Sequence, residues 1–300
     1  MRSGPIPLLT ERECTALAAA RAAGEAQLEC TLDLGRSRGF VALAAQDWAW
    51  DGRRFPYPGA CKPRTIHHWT GAAFEPVARF THALFKLVPT EWGPPTFAID
   101  GVKMLPTAKL SPYVDAQRKV ALIAPRGKVV LDACGGLGYF AAWCLQGGAR
   151  RILSFEKHAD VLWLRSLNPW SPDSAWQAPP GAALELRQGD IAQEIQGLGS
   201  ASVDAVLHDP PRFALAGELY SQAFYGQLAR VLRPGGLLFH YTGAPNSISR
   251  GRELAREVCA RLGQAGFSTG FNGDGVLARA TGARPPRARA RVARGTGPRR

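Results

Sequence analysis

From Val129 onward, short apolar runs alternate with longer stretches whose apolar residues recur at helical spacing. The pattern predicts strands at 129–134, 151–156, 183–189, 203–209, 236–242 and 266–281, the last a hairpin through Asn272-Gly273-Asp274-Gly275. Helices are predicted at 139–147, 159–167, 217–232 and 249–264. Such alternation calls for an α/β fold with a mostly parallel sheet and helices on both faces. Upstream the pattern changes. Thr10-Glu11-Arg12-Glu13 is a capping box opening an alanine-rich helix that runs to about residue 27. From Leu28 to about Met104, short segments such as 30–34, 40–44 and 96–99 are separated by turn residues, among them Asp51-Gly52 and 56–59, which predicts hairpins in a small β-rich domain. Residues 111–124 turn helical and, with Asp115, Arg118 and Lys119, lead into the first parallel strand. The expected division is therefore an N-terminal helix (1–27), a β-rich domain (28–110), an α/β domain (111–281) and a tail (282–300).

With 300 residues, 46% of them apolar, the chain can bury a real core. Its formal charge of +13 suggests nucleic acid until it is located. Seven arginines and no acid lie between Thr281 and Arg300, leaving six net charges for the rest. The excess belongs to a Pro/Gly/Arg/Ala tail expected to be disordered, which either contacts RNA or DNA phosphates or is simply solvated. The six cysteines form no CxxC pair and have no ligand spacing with the six histidines, so no metal site is expected. Glu11, Arg12 and Glu13 interrupt any signal-like apolar start, and no run of about 18 apolar residues occurs. These features predict a cytoplasmic protein with reduced thiols and no membrane contact. Trp48, Trp50, Trp69 and Trp92 read as core or interface rather than a base-stacking platform, and His67-His68 as surface loop residues rather than catalytic ones. Oligomeric state is not encoded in the pattern.

The chemistry is concentrated at the strand ends. The first parallel strand, Val129-Val130-Leu131, ends at Asp132 and passes through Gly135, Gly136 and Gly138 into a helix, a turn where glycine permits positive φ and close approach of a ligand. The next three strands end at Glu156, at Gly189-Asp190 and at Asp209. Ligands of such sheets sit beyond the carboxyl ends of the strands, where strand order reverses. Four acids on that rim suit a cofactor with a ribose diol for Glu156, an adenine amine for Asp190 and a cationic centre. Gly135-Gly136-Leu137-Gly138 is not the dinucleotide spacing, so S-adenosylmethionine fits better than NAD.

Asp132 to Gly138, Glu156, Gly189-Asp190, Asp209-Pro210-Pro211 and Leu232-Arg233-Pro234-Gly235-Gly236 together resemble a class I S-adenosylmethionine-dependent methyltransferase domain over 129–281. The resemblance implies a Rossmann-like, mostly parallel seven-stranded sheet, preceded here by the β-rich region. Leu167-Asn168-Pro169-Trp170-Ser171, His208-Asp209-Pro210-Pro211-Arg212-Phe213, the stretch 216–220 and Phe239-His240-Tyr241 are similar to a group of predicted methyltransferases described mainly from archaea, and that likeness extends to about residue 30.

Methyl transfer is an in-line displacement, so the protein must align the reactants and remove a proton where the acceptor carries one. Asp209 is placed for this. Base-amine methyltransferases carry a D/N-P-P-aromatic motif, but Arg212 stands at the aromatic position and Phe213 follows it. A guanidinium there suits an acidic or phosphate-bearing acceptor, or pairs with Glu218 or a strand-end acid. His208, His240 and Tyr241 are further candidates for a base or an acceptor contact, or are satisfied core residues. Asp-Pro-Pro-x-Phe is also similar to ribosomal-RNA cytosine-C5 methyltransferases, which attack with cysteine, but no cysteine lies in 202–258. The stretch 217–225 with the following Arg-Pro-Gly-Gly is similar to spermidine synthases, leaving aminopropyl transfer open. A non-catalytic RNA-binding protein is the third reading.

Overall fold

A computed structural model of the chain describes residues 6–172, 183–243 and 250–282, so the Arg-rich tail beyond 282 lies outside the described residues. The N-terminal region opens with β1 (Leu8–Leu9) and α1 (Glu11–Ala22). The capping box forms as expected: Arg12 N donates to Thr10 Oγ1, and Thr10 N donates to Glu13 Oε2 at 3.1 Å. The helix stops five residues before the predicted end, since Gly24 takes φ +69° and β2 (Gln27–Cys30) begins. The segment expected as a strand at 30–34 is mostly a turn, because Thr31 Oγ1 and Asp33 Oδ1 accept the Gly35 and Ser37 amides and compete with a ladder.

β3 (Gly39–Leu43), β4 (Asp47–Trp50) and β5 (Arg53–Pro56) complete an antiparallel meander with β2. β6 (His67–Trp69) pairs with β1 and with β7 (Phe74–Pro76). β8 (Ala78–Phe80), β9 (Leu84–Val88), β10 (Thr96–Ile99) and β11 (Val102–Lys103) form a third antiparallel sheet. Trp48 is fully buried against Phe55 and Phe74. Two expectations are corrected here. His67 is a buried strand residue rather than a surface loop position. Cys14 and Cys61 form a disulfide with a Cα–Cα separation of 6.2 Å, where reduced thiols were expected. The pairing joins α1 to the loop after β5 across 47 residues, which spacing along the chain does not reveal.

α2 (Pro112–Ile123), capped by Ser111, leads into the α/β half. There the chain runs β12 (Val129–Asp132), α3 (Tyr139–Gln146), β13 (Arg151–Glu156), α4 (Ala159–Leu167), β14 (Ala183–Gln188), α5 (Ile191–Glu194) and β15 (Val203–His208). It continues through α6 (Gln222–Val231), β16 (Leu232–Tyr241), α7 (Arg250–Gln264), β17 (Phe267–Asn272) and β18 (Gly275–Ala280). The predicted helix at 217–232 is split, because Ser221 caps α6 through the Phe224 amide and leaves 217–220 as a short 3-10 turn. Strand order in the seven-stranded sheet is β14-β13-β12-β15-β16-β18-β17. Every strand except β18 runs parallel. From β12 the chain winds outward to β14, then crosses back to place β15 on the other side of β12. Sheets of this kind bind ligands at such a reversal, here beyond the carboxyl ends of β12 and β15.

One hydrophobic cluster unites Leu8, Ile66, Phe85 and Phe97 with Phe140, Ile152 and Leu164, so the β-rich region and one face of the large sheet share a core. The Leu-Asn-Pro-Trp-Ser string serves this junction. Asn168 Nδ2 donates to Tyr139 Oη and Ser171 Oγ, Tyr139 Oη donates to Pro95 O at 2.7 Å, and Trp170 Nε1 donates to Leu34 O at 3.1 Å. α6 and α7 cover the opposite face over Leu131, Phe155 and Val206.

Candidate active site

The glycine bend after β12 has the geometry its sequence demands. Gly136 and Gly138 take φ +49° and +80°. Gly135 has an ordinary φ, but a Cβ there would lie 2.5 Å from Ser154 Oγ, and one on Gly138 would enter the Arg165 guanidinium. β10 reaches the same bend, with the Phe97 ring 3.6 Å from where a Gly136 Cβ would stand.

Glu156 closes the next strand and is tied to that bend. Its Oε2 accepts from Gly136 N and its Oε1 from His158 N, both at 2.9 Å, leaving lone pairs on each oxygen for further donors. Burial raises its pKa, and these two N–H groups pull it back. Gly189 N donates to Glu156 O, and Asp190 caps α5 through the Ala192 amide while Lys157 Nζ sits 2.8 Å from its Oδ2. The Cys134 thiol reports how these groups converge: burial first, then the charges of Glu156, Asp132, Asp209 and Asp190 together push its pKa well up. All four predicted acids therefore surround one turn, and Cys134 is held protonated, unlike a nucleophile.

Asp132 departs from its expected place. It is fully enclosed and accepts from Ser154 Oγ at 2.8 Å, so it braces the strand ends beneath the bend instead of lining the rim. Burial lifts its pKa to about 6, against the Ser154 hydrogen bond and the nearby Arg165 charge. Arg165, which the sequence reading missed, is buried beside it and also donates toward Ser154 Oγ. Its trace in the sequence is a cation on the apolar face of α4, next to Leu164.

His240 is corrected as well. It is completely buried, its Nε2 pairs with Tyr225 Oη at 2.9 Å, its Nδ1 contacts Tyr241 O at 2.8 Å, and burial drives its pKa far down. His208 is also fully buried, with Nε2 bonded to Leu219 O and no partner for Nδ1 among the described residues, so both rings are enclosed in the core. Arg212 is exposed on the loop after β15 and forms no ion pair among the described residues, so neither Glu218 nor a strand-end acid holds it. Phe213 stacks edge-on against Tyr220, whose Oη donates to Pro211 O.

Asp209 follows β15 and Tyr241 ends β16, so both stand at the carboxyl ends of neighbouring strands, beside a cation from α2. Lys119 of α2 places Nζ 2.7 Å from Asp115 Oδ2, 3.6 Å from Asp209 Oδ2 and 3.9 Å from the Tyr241 ring centroid. Burial raises the pKa of Asp209, and Lys119 opposes it. Tyr241 is pushed up to about 12, chiefly by burial and against the pull of Lys119. The available signal was Asp115 and Lys119 four residues apart on the apolar stripe of α2.

Residues 153–251 match a family described as S-adenosyl-L-methionine-dependent methyltransferase. The match covers 99 of the chain's 300 residues. By strand order and by likeness to solved structures, the chain has the fold of class I S-adenosylmethionine-dependent methyltransferases. An uncharacterized protein of Methanocaldococcus jannaschii is 41% identical over 184 residues, 61% of each chain. The polyamine aminopropyltransferase 2 of Streptomyces coelicolor is 31% identical over 134 residues, 44% of this chain and 24% of that one. The chain thus spans less than two thirds of the curated relatives it matches. A crystal structure of spermidine synthase in complex with the transition-state analogue AdoDATO superposes with a TM-score of 0.52 at 17% identity, covering 68% of this chain and 72% of that one, which shows the fold. The reversal of strand order falls between β12 and β15, and the glycine bend and Glu156 stand at that place.

Proposed function

We propose that the chain binds S-adenosylmethionine at the glycine bend and transfers its methyl group to an acceptor held beside Asp209. The observation that supports this most is the clamp between Glu156 and the Gly136 amide at the topological switch, which leaves carboxylate lone pairs at the place of a ribose. The residues fit the cofactor: the left-handed glycine bend at the end of β12, Glu156 for the ribose hydroxyls, and Asp190 with the Gly189 backbone for the adenine edge. When bound, S-adenosylmethionine supplies a methyl carbon activated by a sulfonium. Asp209 would take the proton that the acceptor loses on methylation. Tyr241 and the exposed Arg212 flank Asp209 in sequence or space and are proposed to orient the acceptor.

Methyl transfer is preferred to aminopropyl transfer because Lys119 already sets an ammonium against Asp209, where a cationic amine would need a free carboxylate. The tail beyond 282 is proposed to add salt-sensitive RNA contact through its arginines, and the cytoplasmic placement expected from the sequence stays part of this proposal. The direct test is incubation with methyl-labelled S-adenosylmethionine and fractionated cell extract. Label should enter one class of RNA, protein or small molecule, and Asp209→Asn should abolish it. Equal labelling by the Asn variant, or none by the wild type, would overturn the proposal.

A further inference from the structure

Lys119 lies outside the family-matched segment, yet it is the cation nearest the proposed base. It is 3% exposed and shares the buried stripe of α2 with Tyr113, Ala116, Val120 and Ile123, positions where an aliphatic side chain would serve packing alone. Burying an ammonium costs several kcal/mol unless its partners are well placed. Asp115, one turn earlier, would suffice as a partner. Lys119 nevertheless also reaches across to Asp209 and lies on the Tyr241 ring.

The other groups that act on Asp209 among the described residues are acidic or neutral. Asp115 faces it from α2, Asp274 from the β17–β18 turn and Asp132 from β12. Tyr241, Tyr220 and the protonated Cys134 complete the surround. Without Lys119, three carboxylates would crowd a fourth, and a proton would settle among them. Asp209 keeps 18% of its side chain exposed, and the ion pair with Lys119 is made through Oδ2, not Oδ1.

We propose that Lys119 is a positioning residue for methyl transfer: it holds Asp209 by Oδ2 in its ionised form and leaves Oδ1 to receive the acceptor's proton. This rests on the function proposed above. Asp115 is the second anchor, fixing Lys119 so that it bridges α2 to the end of β15.

The test reads the carboxylate itself and needs no acceptor. Carbon-13 NMR of Asp-labelled protein, with Asp209→Asn for assignment, gives the pH at which Asp209 titrates. Lys119→Gln should move that midpoint up by about one pH unit or more, a roughly tenfold change in proton affinity. Lys119→Arg should restore it. Asp115→Asn should lower it, because Lys119 is then left with Asp209 alone and one neighbouring negative charge is gone. An unmoved midpoint in folded Lys119→Gln overturns the proposal. Where that variant does not fold, an unmoved midpoint in Asp115→Asn does the same. S-adenosylhomocysteine binding to the wild type, measured in parallel, reports separately on the parent reading, which falls if no binding occurs.

Discussion

Acid should unfold this protein earlier than its exposed carboxylates alone would require, because two adjacent histidines are buried neutral. His208 and His240 pack edge to face at 4.5 Å between ring centroids, both without solvent exposure. Burial holds His208 down to about 4 from an ordinary 6.5, partly offset by its bond to Leu219 O. A depressed histidine pKa means that the unfolded chain binds the proton first. The associated stability is present in full above pH 6.5 and is lost as pH falls toward 4. At 1.36 kcal/mol per unit, His208 accounts for about 3 kcal/mol over that window, and His240, shifted the same way, adds to the loss. The assay is urea unfolding at pH 7.5, 5.5 and 4.5 for the wild type and His208→Gln, which keeps a donor for Leu219 O and does not titrate. The wild type should lose stability more steeply between pH 6.5 and 4.5, so the gap between the two proteins narrows or inverts. Parallel pH dependence in both would refute the assignment of these rings as buried and neutral.

Other consequences can be checked in the same preparations. Glu156→Gln replaces a carboxylate that accepts two backbone N–H groups with an amide that can accept only one of them well, so S-adenosylhomocysteine affinity should fall by about 1.5–3 kcal/mol, roughly ten- to 150-fold; calorimetry showing undiminished affinity would count against the ribose role. Gly138→Ala should cost about 1–2 kcal/mol for its left-handed backbone, plus the displacement of Arg165, visible as a lower melting temperature; an unchanged melting temperature would contradict the packing beneath the bend. Thiol titration of protein denatured without reductant should find four free cysteines, namely Cys30, Cys134, Cys144 and Cys259, whereas six would show that Cys14 and Cys61 are unpaired.

The parallel half was legible because it is built from local rules. Val129–Asp132 and Arg151–Glu156 are apolar runs bounded by turn residues, and Ala159–Leu167 sits where its periodicity placed it. Hairpins upstream were legible in kind but not in register, since side chains such as Thr31 and Asp33 choose between ladder and turn. At the site, residue type at a strand end was readable and burial was not. Glu156 and Asp209 stand at the reversal of strand order, while Asp132 ends its strand in the same way and turns inward to Ser154. His240 looked reactive because a strand end says nothing about which side chains, here Tyr225 and His208, close over it. The roles of Lys119 and Arg165 were harder to read. Each is a cation on an apolar helix face, and although Asp115 lies one turn from Lys119, the acids each meets at the site, Asp209 and Asp132, lie far along the chain.

The claim on which the rest depends is that the bend and Glu156 cradle an adenosyl ligand. Isothermal titration of S-adenosylhomocysteine and S-adenosylmethionine into the purified chain, beside decarboxylated S-adenosylmethionine, tests it most directly. The account predicts saturable one-to-one binding of the first two, each tighter than the decarboxylated form. Absence of heat with all three would contradict it, and a preference for the decarboxylated form would transfer the site to aminopropyl chemistry.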